Sequence, residues 1–165
     1  MTVPDTFDRA GLEAAGFTGF VSFASLGAAA VPRVPGVYAV VRETHDPPRF
    51  LDRSTGGRFK GRDPTVPTEV LAAKWVDRAM VMYFGKAGDL GKRLSQYADF
   101  GAGRPVGHWG GRYVWQLADA DRLLVAWLEV PAVRDPFDAE HELLDAFAAE
   151  HGVLPFANIS RGRAP

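Results

Sequence analysis

The stretch VMYFGKAGDLGKRLSQY, residues 81–97, commits the chain to a strand that gives way almost at once to a helix. The apolar run AMVMYFG reads as a strand, and DLGKRLSQYADF as a helix with Leu90, Leu94 and Tyr97 on one face. Three glycines and three basic residues crowd the junction, which suggests a loop that handles phosphate. Neither common nucleotide loop fits. A P-loop needs Gly-Lys followed by Ser or Thr, whose hydroxyl holds magnesium, and here Gly91-Lys92 is followed by Arg93. The dinucleotide pattern G-x-G-x-x-G also fails, because Gly85, Gly88 and Gly91 fall at intervals of three.

Other elements surround this unit. DTFDRAGLEAAGF reads as a short capped helix ending at Gly16. The proline-bracketed VPRVPG launches GVYAVVRE, a strand rich in Val37, Val40 and Val41. Thr44 to Thr65 is polar, with Gly and Pro throughout, and reads as a long surface loop. PTEVLAAKWVDRA has helical spacing at Val70, Leu71, Lys74 and Trp75. RLLVAWLEV reads as a third strand, buried on both faces. DAEHELLDAFAAEHG reads as an amphipathic helix with Leu143, Leu144 and Phe147 inward and Gly152 as its C-cap. The order of elements predicts a small α+β domain.

Composition narrows the function. The 165 residues suffice for one domain that buries roughly 70% of its unfolded surface. With no cysteine, disulfide frameworks and Cys-based zinc sites are excluded. The amino terminus carries Asp5, Asp8 and Glu13 in place of a basic region and does not read as a signal peptide. Phe17 to Ala30 is too short to span a bilayer, so a cytoplasmic protein with no membrane partner is expected. A net charge of −1 gives no global attraction to nucleic acid, so such a partner must be held by a local patch.

Four separated segments share an order with a known family. Pro35-Gly36-Val37-Tyr38, then Tyr83-Phe84-Gly85-Lys86-Ala87 through Arg93-Leu94, then Glu140 to Leu144, then the closing PFAN with Asn158, resemble the GIY-YIG nuclease superfamily. The local likeness is greatest to the amino-terminal incision domain of the bacterial excision nuclease UvrC. The resemblance implies a small central antiparallel sheet of about three strands flanked by helices. It implies one domain over 1–165, with 1–34 as an N-terminal extension and 44–79 as an insertion between the two half-motif strands. That insertion, and the longer spacing from Glu140 to Asn158, depart from the family pattern.

The same resemblance implies a metal-dependent endonuclease that hydrolyses DNA phosphodiester bonds. Glu140 is the expected ligand for Mg2+ or Mn2+, since magnesium keeps several waters and needs only one or two protein carboxylates. Its ordinary alternative is a first-turn helix acid favoured by the dipole. Tyr38 and Tyr83 are the candidate bases; lowering a phenol from ~10 by ~2–3 units needs roughly 3–4 kcal/mol, which Lys86, Arg93 and the metal would supply. Arg93 would grip the phosphate bidentately. Lys86 and Tyr97 match residues of the UvrC-like branch, and Asn158 is an orienting hydrogen-bonder.

Two further stretches fit a nucleic-acid surface. GRPVGHWGGRYVW interleaves Arg104, His108 and Arg112 with Trp109, Tyr113 and Trp115, as where a backbone is gripped and bases are stacked. A loop anchored by buried tryptophans is the other reading. RSTGGRFKGR carries Arg53, Arg58, Lys60 and Arg62 without an acid and fits a flexible phosphate clamp or a solvated loop. The expected partners are DNA or RNA, with a protein partner or a second copy of the chain beside them. Where the nuclease reading gives way, the alternative is a non-catalytic nucleic-acid-binding or partner-binding module on the same fold.

Overall fold

The computed structural model describes residues 2–161. Helix α1 (Arg9–Ala14) is capped by the Asp8 carboxylate, which accepts from the Gly11 N–H, and ends before Gly16 at a φ of 99°. Strand β1 (Thr18–Ser22) leads into a 3-10 turn (Phe23–Ala28), and β2 (Gly36–Val41) follows. After the inserted segment come α2 (Thr68–Lys74), β3 (Val81–Ala87) and α3 (Leu90–Gly101). Two 3-10 turns (Arg112–Gln116 and Ala120–Arg122) precede β4 (Leu124–Glu129) and α4 (Pro136–His151). The α+β class is as expected, but the antiparallel sheet has four strands rather than about three, in the order β1-β4-β2-β3.

The additional strand is β1, which lies within the expected N-terminal extension. It escapes a period-two reading because its pairing to β4 is broken by a bulge between Gly19 and Val21. Gly19 has a φ of 97°, and a Cβ there would lie 2.4 Å from the Trp127 ring. No side chain fits.

β2 sits between β3 and β4, so all six of its residues are buried. Its side chains alternate between two cores. Tyr38 and Val40 face α3, with Leu90, Leu94, Tyr97 and Phe100, and the 3-10 turns. Val37, Ala39 and Val41 face α1 and α4, where Leu143, Leu144 and Phe147 pack. Burial of each such side chain stabilises the fold by roughly 1.5–3 kcal/mol. Helix α4 ends as predicted, with Gly152 in the left-handed region at φ 76°. No helix among the described residues is long and apolar enough to cross a membrane.

Despite the long insertion, β2 and β3 are direct neighbours, with Tyr38 opposite Gly85 and Val40 opposite Tyr83. The far edge of β3 is closed by the chain's last described segment. The Ala157 N–H donates to Met82 O (2.8 Å), and the Asn158 carboxamide accepts from Phe84 N–H and donates to Phe84 O, both at 2.9 Å. Asn158 therefore completes the ladder with its side chain.

Residues 44–65 hold no helix or strand, as expected, yet they are stitched to the body. Arg42, 5% exposed, pairs with Asp119 at 2.8 Å and donates to Thr44 O and Asp46 O. The buried Gln116 donates to Leu51 O and Val66 O and accepts from Val66 N–H, joining the two arms of the insertion. Gln116→Leu keeps the size but leaves the Val66 N–H without its acceptor, which costs about 1–3 kcal/mol. Urea denaturation of the variant should show that loss, and unchanged stability would mean the insertion is not anchored there.

Candidate functional site

A cleft of about 830 Å³ opens between the N-terminal ends of α3 and α4 and the 109–112 loop. Six of the seven residues expected to be catalytic converge on it: Tyr38, Tyr83, Lys86, Arg93, Glu140 and Asn158. Arg112 lines it as well. Tyr97 lies behind the cleft, fully buried, and Arg58, Lys60 and Arg104 lie outside its lining. Arg104 pairs with Asp99 at 2.6 Å and Arg58 with Asp63 at 3.1 Å.

The floor is a neutral polar knot. The Tyr38 hydroxyl and His108 Nε2 share a hydrogen bond at 2.8 Å, and the His108 ring stacks on Tyr97 at 3.6 Å. The Tyr97 hydroxyl donates to Gly111 O at 2.8 Å. Two glycines permit this packing: a Cβ on Gly85 or Gly111 would lie 2.4 Å from the Tyr38 or the Tyr97 side chain, respectively. Gly85, the last residue of the YFG motif, is thus required by Tyr38 directly across the strand pair.

His108, expected on a nucleic-acid surface, is fully buried. Burial first, and then Arg93, hold its pKa well below the usual imidazole value, and its Nδ1 has no hydrogen-bond partner among the described residues. It is a neutral core group. Trp115 is also buried, whereas Trp109 is half-exposed and carries Arg112 at 4.7 Å and Arg62 at 4.9 Å from its ring centre. The buried Trp115 fits the reading of a loop anchored by tryptophans, and Trp109 stays at the surface under two arginines.

The expected metal chemistry is not assembled. Among the described residues no group of three or more His, Cys, Asp or Glu side chains could hold a metal ion. Glu140 instead pairs with Lys86, Nζ to Oε2 at 2.5 Å, and the ammonium also lies 4.7 Å from the centre of the Phe137 ring. A lysine there occupies one carboxylate oxygen and sets a positive charge where a dication would need to approach. Asp89 and Asp135, the other acids of the cleft, accept from the Lys92 and Phe137 N–H groups as N-caps of α3 and α4. The Mg2+ or Mn2+ cofactor, the ligand role of Glu140 and the metal-dependent endonuclease built on them are accordingly withdrawn, and with them the description as a hydrolase.

Burial also works against a tyrosine base. Burial outweighs the pull of Arg93 and pushes Tyr38 up to about 12, and burial likewise holds Tyr83 and Tyr97 well above the ordinary phenol. The shift is opposite to the one a base requires. Glu140 is raised too, by burial first, against the pull of Lys86. Arg93 donates to Gly107 O at 2.9 Å, which ties α3 to the loop under Trp109.

Sequence reading missed Lys92 as a lining cation, although it sits beside Arg93 in the first turn of α3. It also missed the capping tasks of Asp89 and Asp135, which the position of each just before a helix could have revealed. No protein-family model, curated protein or solved structure matches the chain.

The raised phenols fix an alkaline limit. Each stays protonated in the fold after an unfolded phenol has begun to ionise, so its stabilisation is fully present below about pH 10 and is lost as pH climbs through the folded value. For Tyr38 the loss amounts to about 2–3 kcal/mol between pH 10 and 12. Denaturation curves across that range should show the fall, with phenolate absorbance at 295 nm rising together with unfolding. Ionisation of Tyr38, Tyr83 and Tyr97 near pH 10 in the folded protein would refute it.

Proposed function

We propose that the chain is a non-catalytic binding module on a GIY-YIG-like scaffold, and that its cleft takes a nucleic-acid strand. One observation carries this reading. Lys92, Arg93 and Arg112 line the cleft without an ion pair among the described residues, while each acid beside them is engaged. Asp89 is tied to Lys92 N–H and to Arg33, Asp135 to Phe137 N–H, and Glu140 to Lys86. The lining therefore offers unpaired cations to an anion while its own negative charge is held back.

The aromatic content supports the same partner. Tyr83 and Trp109 line the cleft beside those cations, and a strand held by phosphate contacts can set bases against such rings. The volume is that of a pocket for a nucleotide-sized ligand. The scaffold assignment is supported by the adjacency of the GVY and YFG strands and by the convergence of six motif residues on one cleft.

The reading requires binding without metal. Fluorescence anisotropy of a labelled single-stranded oligonucleotide, titrated in EDTA at low salt, should show binding that weakens as salt rises. Each phosphate contact contributes roughly −0.7 to the slope of log affinity against log salt. Arg112→Gln and Lys92→Gln should each flatten that slope by about 0.7. No binding at low salt would overturn the nucleic-acid reading and turn the search to a protein partner.

A further inference from the structure

The basic window of the insertion is a built element. Phe59 and Arg62 exchange both backbone hydrogen bonds, Phe59 N–H to Arg62 O at 3.2 Å and Arg62 N–H to Phe59 O at 3.0 Å. The two residues between them are left-handed, Lys60 at φ 51° and Gly61 at φ 73°. This is the two-residue hairpin that favours Asn-Gly or Gly-Gly, because both central positions need positive φ. A lysine at the first of them is strained, as any residue with a larger Cβ substituent would be.

That strained lysine gives the fold little in return. It is exposed, and among the described residues its ammonium has only the neighbouring Phe59 ring, 5.4 Å from the ring centre. Around it, Arg53 and Arg62 are also exposed, and of the four cations in the window only Arg58 forms an ion pair among the described residues. Arg53 is set beside the hairpin by the next residue, Ser54, whose N–H donates to Thr65 Oγ1 at 3.1 Å.

The hairpin is also joined to the cleft. The Phe59 ring lies 3.1 Å from where a Gly107 Cβ would stand, and Arg62 lies over Trp109, a residue of the cleft lining. From Arg112 across Trp109 to Arg62 and then Lys60, the surface presents cations in succession, none of them in an ion pair among the described residues.

Resting on the nucleic-acid reading above, we infer that the Phe59–Arg62 hairpin is a second phosphate-binding element, which receives the bound strand as it leaves the cleft across Trp109. Lys60 at the tip and Arg53 beside it contact the strand's outer phosphates. The cleft alone holds a short oligonucleotide, and the hairpin adds affinity only for one long enough to reach it.

Anisotropy with oligothymidylates of about three and about twelve nucleotides, sizes that bracket a single-strand site, tests this. Wild type should bind the longer one more tightly. Lys60→Asn should raise the melting temperature, since Asn-Gly suits the turn, while flattening the salt slope for the long oligonucleotide by about 0.7 and leaving the short one unchanged. Arg53→Gln, which leaves the turn intact, should flatten it by the same amount. Equal affinity for the two lengths in wild type, or an unchanged slope for the long one in both variants, would overturn the hairpin's role and leave the cleft reading standing. Failure to bind either length would overturn both.

Discussion

The hydrogen bond between Tyr38 and His108 decides the character of everything around it. Tyr38 lies on the central strand of the sheet, and His108 lies on the loop after α3. Once the imidazole is buried with one nitrogen on a phenol and its face on Tyr97, it must be neutral, because no carboxylate accompanies it. The phenols stay neutral because burial penalises their anionic form. Gly85 and Gly111 follow from the close approach of the rings, and Arg93 follows from the need to hold the loop over them. The floor is thus built of neutral rings that lie beneath the cations of the cleft's rim.

The insertion obeys a related economy of polar groups. Its backbone lies against the body, so its arms need partners, and the buried side chains of Arg42 and Gln116 provide them. Anchored in this way, the segment can hold a tight hairpin over Trp109 in place of a floppy loop. Left-handed strain at a lysine is tolerable only where the flanks are fixed, which they are by the paired backbone of Phe59 and Arg62.

Much of the fold was legible in the sequence because its main elements are locally consistent. The valines of β2, the apolar run of β4 and the Gly152 cap of α4 all agree with their final states. The parts that were not legible depend on contacts between distant residues. β1 is hidden by a bulge that exists to clear Trp127, and nothing near Gly19 announces that ring. Gln116 looks like a polar surface residue until the arms of the insertion meet on it. His108 looks like a phosphate-gripping group because the phenol that takes it into the core, Tyr38, lies on β2, far away in sequence. The cleft's residue set was legible, whereas the protonation and pairing of that set were not.

That difference explains how motif residues can be present together without the chemistry they imply. Each has a structural reason to be there. Gly85 is needed by Tyr38, Tyr97 by His108, Asn158 by the open edge of β3, and Glu140 by the ammonium of Lys86. Replacing any of them would leave a clash, a cavity or an unpaired polar group inside the sheet's cover, at a typical penalty of about 1–3 kcal/mol. Folding alone would therefore preserve the pattern. Co-occurrence of Tyr38, Tyr83, Arg93 and Glu140 does not separate a catalyst from a binder; what separates them is whether the carboxylate is free and the phenol acidic. In this chain the carboxylate is paired with Lys86 and the phenols are driven the other way, while Lys92, Arg93 and Arg112 line the cleft with no ion pair among the described residues.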